Sequence, residues 1–204
     1  MNLEPLLQRH FGHPGFRPGQ QAVVEHVVQG NDALVVMPTG HGKSLCYQLP
    51  AIARSGTTIV VSPLIALMKD QVDALLAKNI RATSINSSLD WEERNRRIQA
   101  MIEGQFELVY VAPERFNDHF MGALSRTKIG LIAIDEAHCI SQWGHDFRPD
   151  YLRLGAVRKA LGEAPLIALT ATATPAVQDD ILLQLDLPNA RRFVTGFDRE
   201  NLRL

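Results

Sequence analysis

The sequence is sparing with the residues that would define a chemistry on their own. It has two cysteines, Cys46 and Cys139. They share no metal-ligand or redox spacing, so neither a zinc module nor a disulfide framework is expected. Both read as buried or semi-buried free thiols in a reducing compartment. A basic excess is also missing: 21 Lys and Arg stand against 22 Asp and Glu, for a formal net charge of -1. A chain that held nucleic acid by bulk charge would carry such an excess, so any contact of that kind must come from local groups. No apolar run approaches membrane-spanning length. Glu4 and Pro5 interrupt the N-terminal stretch, so no signal peptide is expected there. There is no internal repeat and no low-complexity linker. These absences suggest a cytoplasmic protein with no membrane partner.

What is present is patterned. With 46% apolar residues in 204, the chain can fill the core of one large domain. Short Val- and Ile-rich runs alternate with segments of helical period. Strands are predicted over 33–37, 57–62, 82–85, 108–111, 131–135, 166–169 and 192–195. Helices are predicted over 20–28, 43–53, 64–78, 91–103, 149–161 and 175–185. Asp90 is placed to cap the fourth of these, with Glu93 three residues on in a capping-box arrangement. Strands apolar throughout and separated by helices imply an α/β fold, with a mostly parallel central sheet covered on both faces. Ligands of such sheets sit at the carboxyl ends of the strands. Met37, Ser62, Asp135 and Thr170 fall at those ends, so the motifs converge on one rim.

Two motifs give that rim a chemistry. The run Met37-Pro38-Thr39-Gly40-His41-Gly42-Lys43-Ser44 joins a buried strand to a helix. This is the setting of a phosphate-binding loop, whose backbone N–H groups wrap phosphates while Lys43 reaches the β- and γ-phosphates and Ser44 faces Mg²⁺. The helix N-terminus behind it adds partial positive charge. Met37 stands where the general pattern has its first glycine. The second motif, Asp135-Glu136-Ala137-His138, follows the strand Leu131-Ile132-Ala133-Ile134. A buried strand ending in an acid is how nucleotidases hold Mg²⁺ opposite a phosphate loop. Asp135 would hold the metal, directly or through water, and Glu136 would orient and deprotonate the attacking water.

Other residues carry two readings each. Gln20 offers a donor and an acceptor, which suits the edge of adenine, or it begins a helix and faces solvent. Trp143 and Phe147 lie in a polar segment punctuated by Gly and Pro. They either stack on bases, with Arg148 meeting phosphate or a base plane, or tuck into the core. Ser62, Thr83, Ser84, Asn86, Ser87 and Arg115 either contact a nucleic-acid backbone or, for the Ser and Asn members, form turns. Thr170 and Thr172 link Asp135 or His138 to another lobe, or make ordinary turn hydrogen bonds. The run Trp91 to Arg97 reads as a solvated helix face with local ion pairs and is assigned no site.

With both motifs in place, the chain resembles the superfamily 2 helicases and, within them, the RecQ family. The resemblance covers nearly the whole chain. Phe16-Arg17-Pro18-Gly19-Gln20 resembles the family's adenine-recognition motif. The run from Ser62 to Gln71 resembles motif Ia, and Ala112-Pro113-Glu114-Arg115 resembles motif Ib. Cys139 to Pro149 resembles the aromatic-rich loop peculiar to RecQ proteins, and Ala168 to Ala173 resembles motif III. The resemblance implies a RecA-like P-loop domain over 1–204, the first lobe of two, with residues 1–30 as adenine-recognition segment and leading helices. It implies ATP-driven, 3′-to-5′ unwinding of DNA in repair and recombination, in a bacterial cytoplasm at the nucleoid. By position, Arg17 and Gln20 contact adenine, and His13 stands where the family often has a stacking tyrosine. Thr39, Gly40, His41, Gly42, Lys43 and Ser44 hold the nucleotide, His41 replacing a usual glycine. Asp135 and Glu136 serve metal and water. His138, Gln142, Trp143, His145, Phe147 and Arg148 sense single-stranded or duplex DNA and couple it to hydrolysis.

In that family a segment like Phe197 to Leu204 closes the first lobe, and a second RecA-like lobe supplies an arginine finger. No motif of that lobe, and none of the zinc-binding or winged-helix domains, is found in the sequence. The chain alone is therefore expected to bind ATP–Mg²⁺ weakly, hydrolyse it slowly and unwind nothing. A competing reading is a stand-alone nucleotide- or DNA-binding regulator. Retention of Lys43, Asp135 and Glu136 weighs against it. A small-molecule P-loop kinase would need a basic acceptor lid, which is not found.

Overall fold

The computed structural model describes residues 2–161 and 164–195; the 197–204 segment lies outside them. Seven strands make one sheet: β1 (Ala33–Val36), β2 (Thr57–Val61), β3 (Ala82–Ile85), β4 (Leu108–Val111), β5 (Ile129–Ile134), β6 (Leu166–Thr170) and β7 (Arg191–Val194). Their order is β3-β4-β2-β5-β6-β1-β7, and every pair is parallel. The described residues hold eight α-helices, two before β1 and six between strands: α1 (Glu4–Phe11), α2 (Gln20–Val28), α3 (Leu45–Ala53), α4 (Ile65–Leu76), α5 (Trp91–Ile102), α6 (Asp118–Leu124), α7 (Leu154–Leu161) and α8 (Pro175–Gln184).

Strand alternation divides the core into two layers. In β1, Leu34 and Val36 join a cluster with Ile98, Phe120, Val157 and Ile181 from α5, α6, α7 and α8. Ala33 and Val35 join the opposite cluster with Val23, Tyr47 and Met68 from α2, α3 and α4. A period of two along the strand sends successive side chains to opposite faces. Each fully buried Val or Leu contributes about 1.5–3 kcal/mol, and both faces of the inner strands collect it. That is why these strands read as continuous apolar runs. β7 departs from this expectation. Arg191 and Arg192 are exposed on an edge strand, where charge guards unpaired backbone.

Three predicted strand ends, those of β1, β2 and β5, run one residue long for a physical reason, while β6 extends one residue further than predicted, to Thr170. Met37 N donates to Thr170 O at 3.0 Å, Ser62 N to Val111 O at 3.2 Å and Asp135 N to Val61 O at 2.9 Å. The ladders thus continue just past β1, β2 and β5. The predicted helix over 149–161 is in fact two windings, a 3-10 turn Pro149–Arg153 followed by α7. The tighter turn carries Tyr151 fully inside, with its hydroxyl donating to Asp135 O at 3.0 Å. α6 was not predicted. It is seven residues long, and its signal is the Asn117 cap, which accepts from Phe120 N at 3.0 Å. The Asp90 cap forms at 2.8 Å from Glu93 N, but the Glu93 side chain turns to Arg96 and Arg97 instead of closing the box.

Candidate functional site

Met37, Ser62, Asp135 and Thr170 do stand at one rim, at the ends of β1, β2, β5 and β6. These four strands are consecutive in the sheet, in the order β2-β5-β6-β1. The ends of β1 and β5 are two strand spacings apart, roughly 10 Å. Chain direction splits at this point: β1 leads through α3 to β2, on the far side of β5 and β6. A crevice outside such a switch is where doubly wound sheets bind ligands.

The loop after β1 is held from outside by backbone-directed side chains. Gln20 is buried, so the solvent-facing alternative is excluded. Its Nε2 donates to His41 O at 3.3 Å and Gly42 O at 3.1 Å, while its Oε1 accepts from Arg17 N at 2.8 Å. The Arg17 guanidinium donates to Gly40 O at 2.7 Å. Gly40 and Gly42 have φ of 84° and 80°, a region that penalises any Cβ. At Gly42 a Cβ would also run into the Gln20 amide. Lys43 Nζ donates to Met37 O at 3.1 Å across the loop. The Met37 side chain is fully buried in the core, which explains how it occupies the glycine position: it points away from the loop. Thr39 and His41 are exposed, and His13 is exposed in the turn after α1.

The Asp135 carboxyl is pushed up to about 6, chiefly by burial and then by the Glu136 charge, with Lys43 acting in the opposite sense. Asp135 and Lys43 therefore share one electrostatic neighbourhood. The buried Tyr47 phenol from α3 reaches toward the same place: its hydroxyl lies 3.4 Å from that of Tyr110 and feels the Asp135 charge. A carboxylate and a hydroxyl beside a second carboxylate make a hard-oxygen donor set that suits Mg²⁺. Glu136 adopts φ of 50°, an αL conformation uncommon for a residue with a Cβ. That conformation turns the chain sharply out of β5.

A relay leaves this point. Glu136 Oε2 lies 3.3 Å from His138 Nδ1, which lies 2.8 Å from Thr170 Oγ1; Thr170 in turn donates to Thr172 O at 3.1 Å. Thr170 thus meets His138, one of the two partners expected for it. Thr172 contributes its carbonyl and is otherwise exposed. His138 stacks on His145, with centroids 4.6 Å apart. Burial lowers the His138 pKa, with the Glu136 charge acting in the opposite sense.

In the aromatic-rich segment, Trp143 is 79% exposed, which excludes the core alternative for that ring. Phe147 is half-buried, Gln142 is exposed, and Arg148 pairs with Asp146 at 3.1 Å. The segment is anchored by Ser141 Oγ, which donates to Asp180 Oδ2 of α8 at 2.6 Å.

Toward the β3 side, Ser62 Oγ and Arg115 Nε are buried and meet no hydrogen-bond partner among the described residues. Arg115 also lines a surface cavity of about 330 Å³ with Ile85, Trp91, Arg94 and His119. Asn86 follows the turn alternative, its Oδ1 accepting from Ser88 N at 2.9 Å. Tyr47, Tyr151, Ser141 and Asp180 give no local signature in the sequence, since their links depend on tertiary contacts.

The chain matches the DEAD/DEAH box helicase family over residues 17–181 and belongs to that family. It is 51% identical over 199 residues to the "ATP-dependent DNA helicase RecQ" of Haemophilus influenzae, covering 97% of this chain and 32% of that protein. It is 48% identical over 202 residues to the protein of the same name from Bacillus subtilis, covering 98% and 34%. The chain therefore spans about a third of the length of these relatives. Among solved structures, the DEAD-box helicase Mss116 superposes with a TM-score of 0.75 at 16% identity, covering 98% of this chain and 46% of that one. A hypothetical ATP-dependent RNA helicase from Sulfolobus tokodaii gives 0.71 at 19%, covering 96% and 57%. At these identities the structures establish the fold, a RecA-like parallel sheet, and nothing further.

Proposed function

We propose that residues 1–204 form the ATP- and DNA-binding first lobe of a RecQ-type 3′-to-5′ DNA helicase acting in a bacterial cytoplasm at the nucleoid. The observation that carries the reading is the shared rim. A clamped glycine loop with Lys43 ends β1, an acid pair ends β5, and Glu136 is wired through His138 to the aromatic segment.

In this reading the backbone N–H groups of residues 39–44 wrap the phosphates. Lys43 leaves Met37 O to meet them, and Ser44 and Asp135 hold Mg²⁺, which supplies charge neutralisation at the phosphates when bound. Glu136 orients water and takes its proton. Gln20 Oε1, with one acceptor direction left after Arg17 N, faces the exocyclic amine of adenine, and His13 stacks nearby. His138, Thr170 and Thr172 pass DNA contact at Gln142, Trp143, His145, Phe147 and Arg148 back to Glu136. Ser62 and Arg115 meet the DNA backbone.

A second RecA-like lobe completes the site. An arginine finger from such a lobe is worth roughly 10³–10⁵ in turnover in other nucleotidases, so this chain alone hydrolyses ATP slowly and separates no strands. The test is ATPase rate with and without single-stranded DNA, for this chain and for one extended through a second lobe. DNA-stimulated turnover in the longer chain only, lost with Lys43→Ala, is the expected result. Robust unwinding by the 204-residue chain, or no nucleotide binding by either, overturns the reading.

A further inference from the structure

We propose that His138, Cys139 and Asp146 form a binding site for a zinc-class transition-metal ion, which would fasten the aromatic-rich segment to the Asp-Glu-Ala-His turn. The sequence spacing gave no hint of it, because the set is closed by a bend and not by a motif. Arg148 N donates to Cys139 O at 2.8 Å and Gly144 N to Ser141 O at 3.1 Å. These bonds fold the segment back until Asp146 meets the cysteine seven residues before it. Gly144 is needed for the bend, since a Cβ there would strike His138 O.

The donor atoms have the spacing of a coordination polyhedron. Cys139 Sγ lies 3.7 Å from His138 Nε2 and 3.7 Å from Asp146 Oδ2, and all three ligand atoms lie within 4.8 Å of one another. Metal–ligand bonds of about 2.0–2.3 Å at tetrahedral angles give ligand–ligand edges of roughly 3.3–3.6 Å. Two edges are thus within a few tenths of an ångström, and the third closes by rotation of Asp146, whose side chain is 46% exposed.

The lone pair is also aimed correctly. Thr170 has one hydroxyl proton and donates it to Thr172 O, so its oxygen accepts from His138 Nδ1–H. The Glu136 carboxylate on the same nitrogen requires the same tautomer. Nε2 is then the unprotonated nitrogen, and it faces Cys139. Metal-binding histidines are oriented by this kind of second hydrogen bond from the far nitrogen. Thiolate with imidazole selects Zn²⁺ or Co²⁺ over Mg²⁺, and three protein ligands leave one position for water. Binding exchanges a proton for the metal: the Cys139 S–H bond breaks, a metal–sulfur bond forms, and the proton leaves to buffer. Asp146 is drawn off Arg148 in the process.

The test uses the untagged 204-residue chain and metal alone, so it is independent of nucleotide or DNA binding. Titration with Co²⁺ should saturate at one equivalent with thiolate-to-cobalt charge-transfer absorption. One equivalent of Zn²⁺ should bleach that absorption, and excess Mg²⁺ should leave it. Cys139→Ser should abolish the absorption, and Cys46→Ser should leave it intact. Asp146→Asn alters a surface carboxylate and leaves the buried core alone. It should keep the absorption but weaken affinity by about tenfold or more. No charge-transfer band in the parent chain, a band that survives Cys139→Ser, or unchanged affinity in Asp146→Asn would each overturn the site.

Discussion

The loops after β1 and β5 face one crevice but are held in opposite ways. The first is fixed by side chains reaching backbone carbonyls: Arg17 to Gly40, Gln20 to His41 and Gly42, and Lys43 to Met37. The second, besides its backbone turns, is tied by side chains reaching side chains: His138 to Thr170, Cys139 to Asp146, Arg148 to Asp146 and Ser141 to Asp180. A carbonyl is present whatever the pH, so the first loop has one shape to offer a phosphate. Side-chain partners can titrate, rotate or be exchanged, so the second loop can take more than one state. The comparison predicts that the first loop sets affinity and the second sets coupling.

The largest effect should come from Lys43→Ala. Among the described residues its ammonium donates to one loop carbonyl, Met37 O, so melting temperature should barely move. ATP hydrolysis in a chain carrying both lobes should fall by about 10²–10³, the usual loss when a charge-stabilising donor is removed. A rate within a few-fold of the parent would remove Lys43 from the first loop's function.

Asp135→Asn comes next, and its signs differ for stability and binding. The free chain holds this carboxyl near 6 against an ordinary 3.8. Between those values the folded state keeps a proton that the unfolded state has lost. Stability contributed by that proton is fully present below about pH 4 and is lost as pH rises through about 6. Two pH units at 1.36 kcal/mol each amount to a loss of up to about 3 kcal/mol. The asparagine variant should therefore be more stable than its parent at pH 7.5 by up to about that amount, with a flatter pH profile from 4 to 6. It should also lose Mg²⁺-dependent nucleotide binding. Urea denaturation across pH checks the first part; a less stable variant at pH 7.5 would contradict it.

The same contrast accounts for what could be read from the sequence. β1 through β6 were legible because apolar runs buried on both faces have few other fates. The glycine loop was legible because its constraint is local, φ above zero at Gly40 and Gly42. The partners of Gln20 were not legible. The residue type suits adenine, yet its amide protons go to a loop more than 20 residues away. Tyr151, Asp180 and the Cys139–Asp146 approach were hidden for the same reason: each is a contact between elements that only the folded chain brings together. β7 was found as a strand, but not as an exposed edge, because edge position is a property of sheet order.

Gln20→Ala should show a smaller effect than either variant above. It strips partners from His41 O, Gly42 O and Arg17 N at once. Losing buried or half-buried hydrogen bonds of this kind costs about 1–3 kcal/mol, and much of that should appear as loosening of the loop. ATP affinity should drop by roughly tenfold, with little change in DNA binding, since each 1.4 kcal/mol is a factor of ten. Equal losses of ATP and DNA affinity would mean general unfolding and not a loop clamp.

The smallest effect on the isolated lobe should come from Trp143→Ala. The ring is 79% exposed, so stability should stay within about 0.5 kcal/mol of the parent and ATP affinity should be unchanged. What should go is stimulation of hydrolysis by single-stranded DNA in the two-lobed chain, because a stacking platform is worth about 1–3 kcal/mol per base and this ring lies in the segment whose His145 stacks on His138. The two loops then separate cleanly: Gln20 variants bind ATP poorly yet remain DNA-responsive, and Trp143 variants bind ATP normally yet ignore DNA. If Trp143→Ala kept full stimulation, the side-chain-held loop would be a passive covering, and the path through His138 would carry structure and no signal.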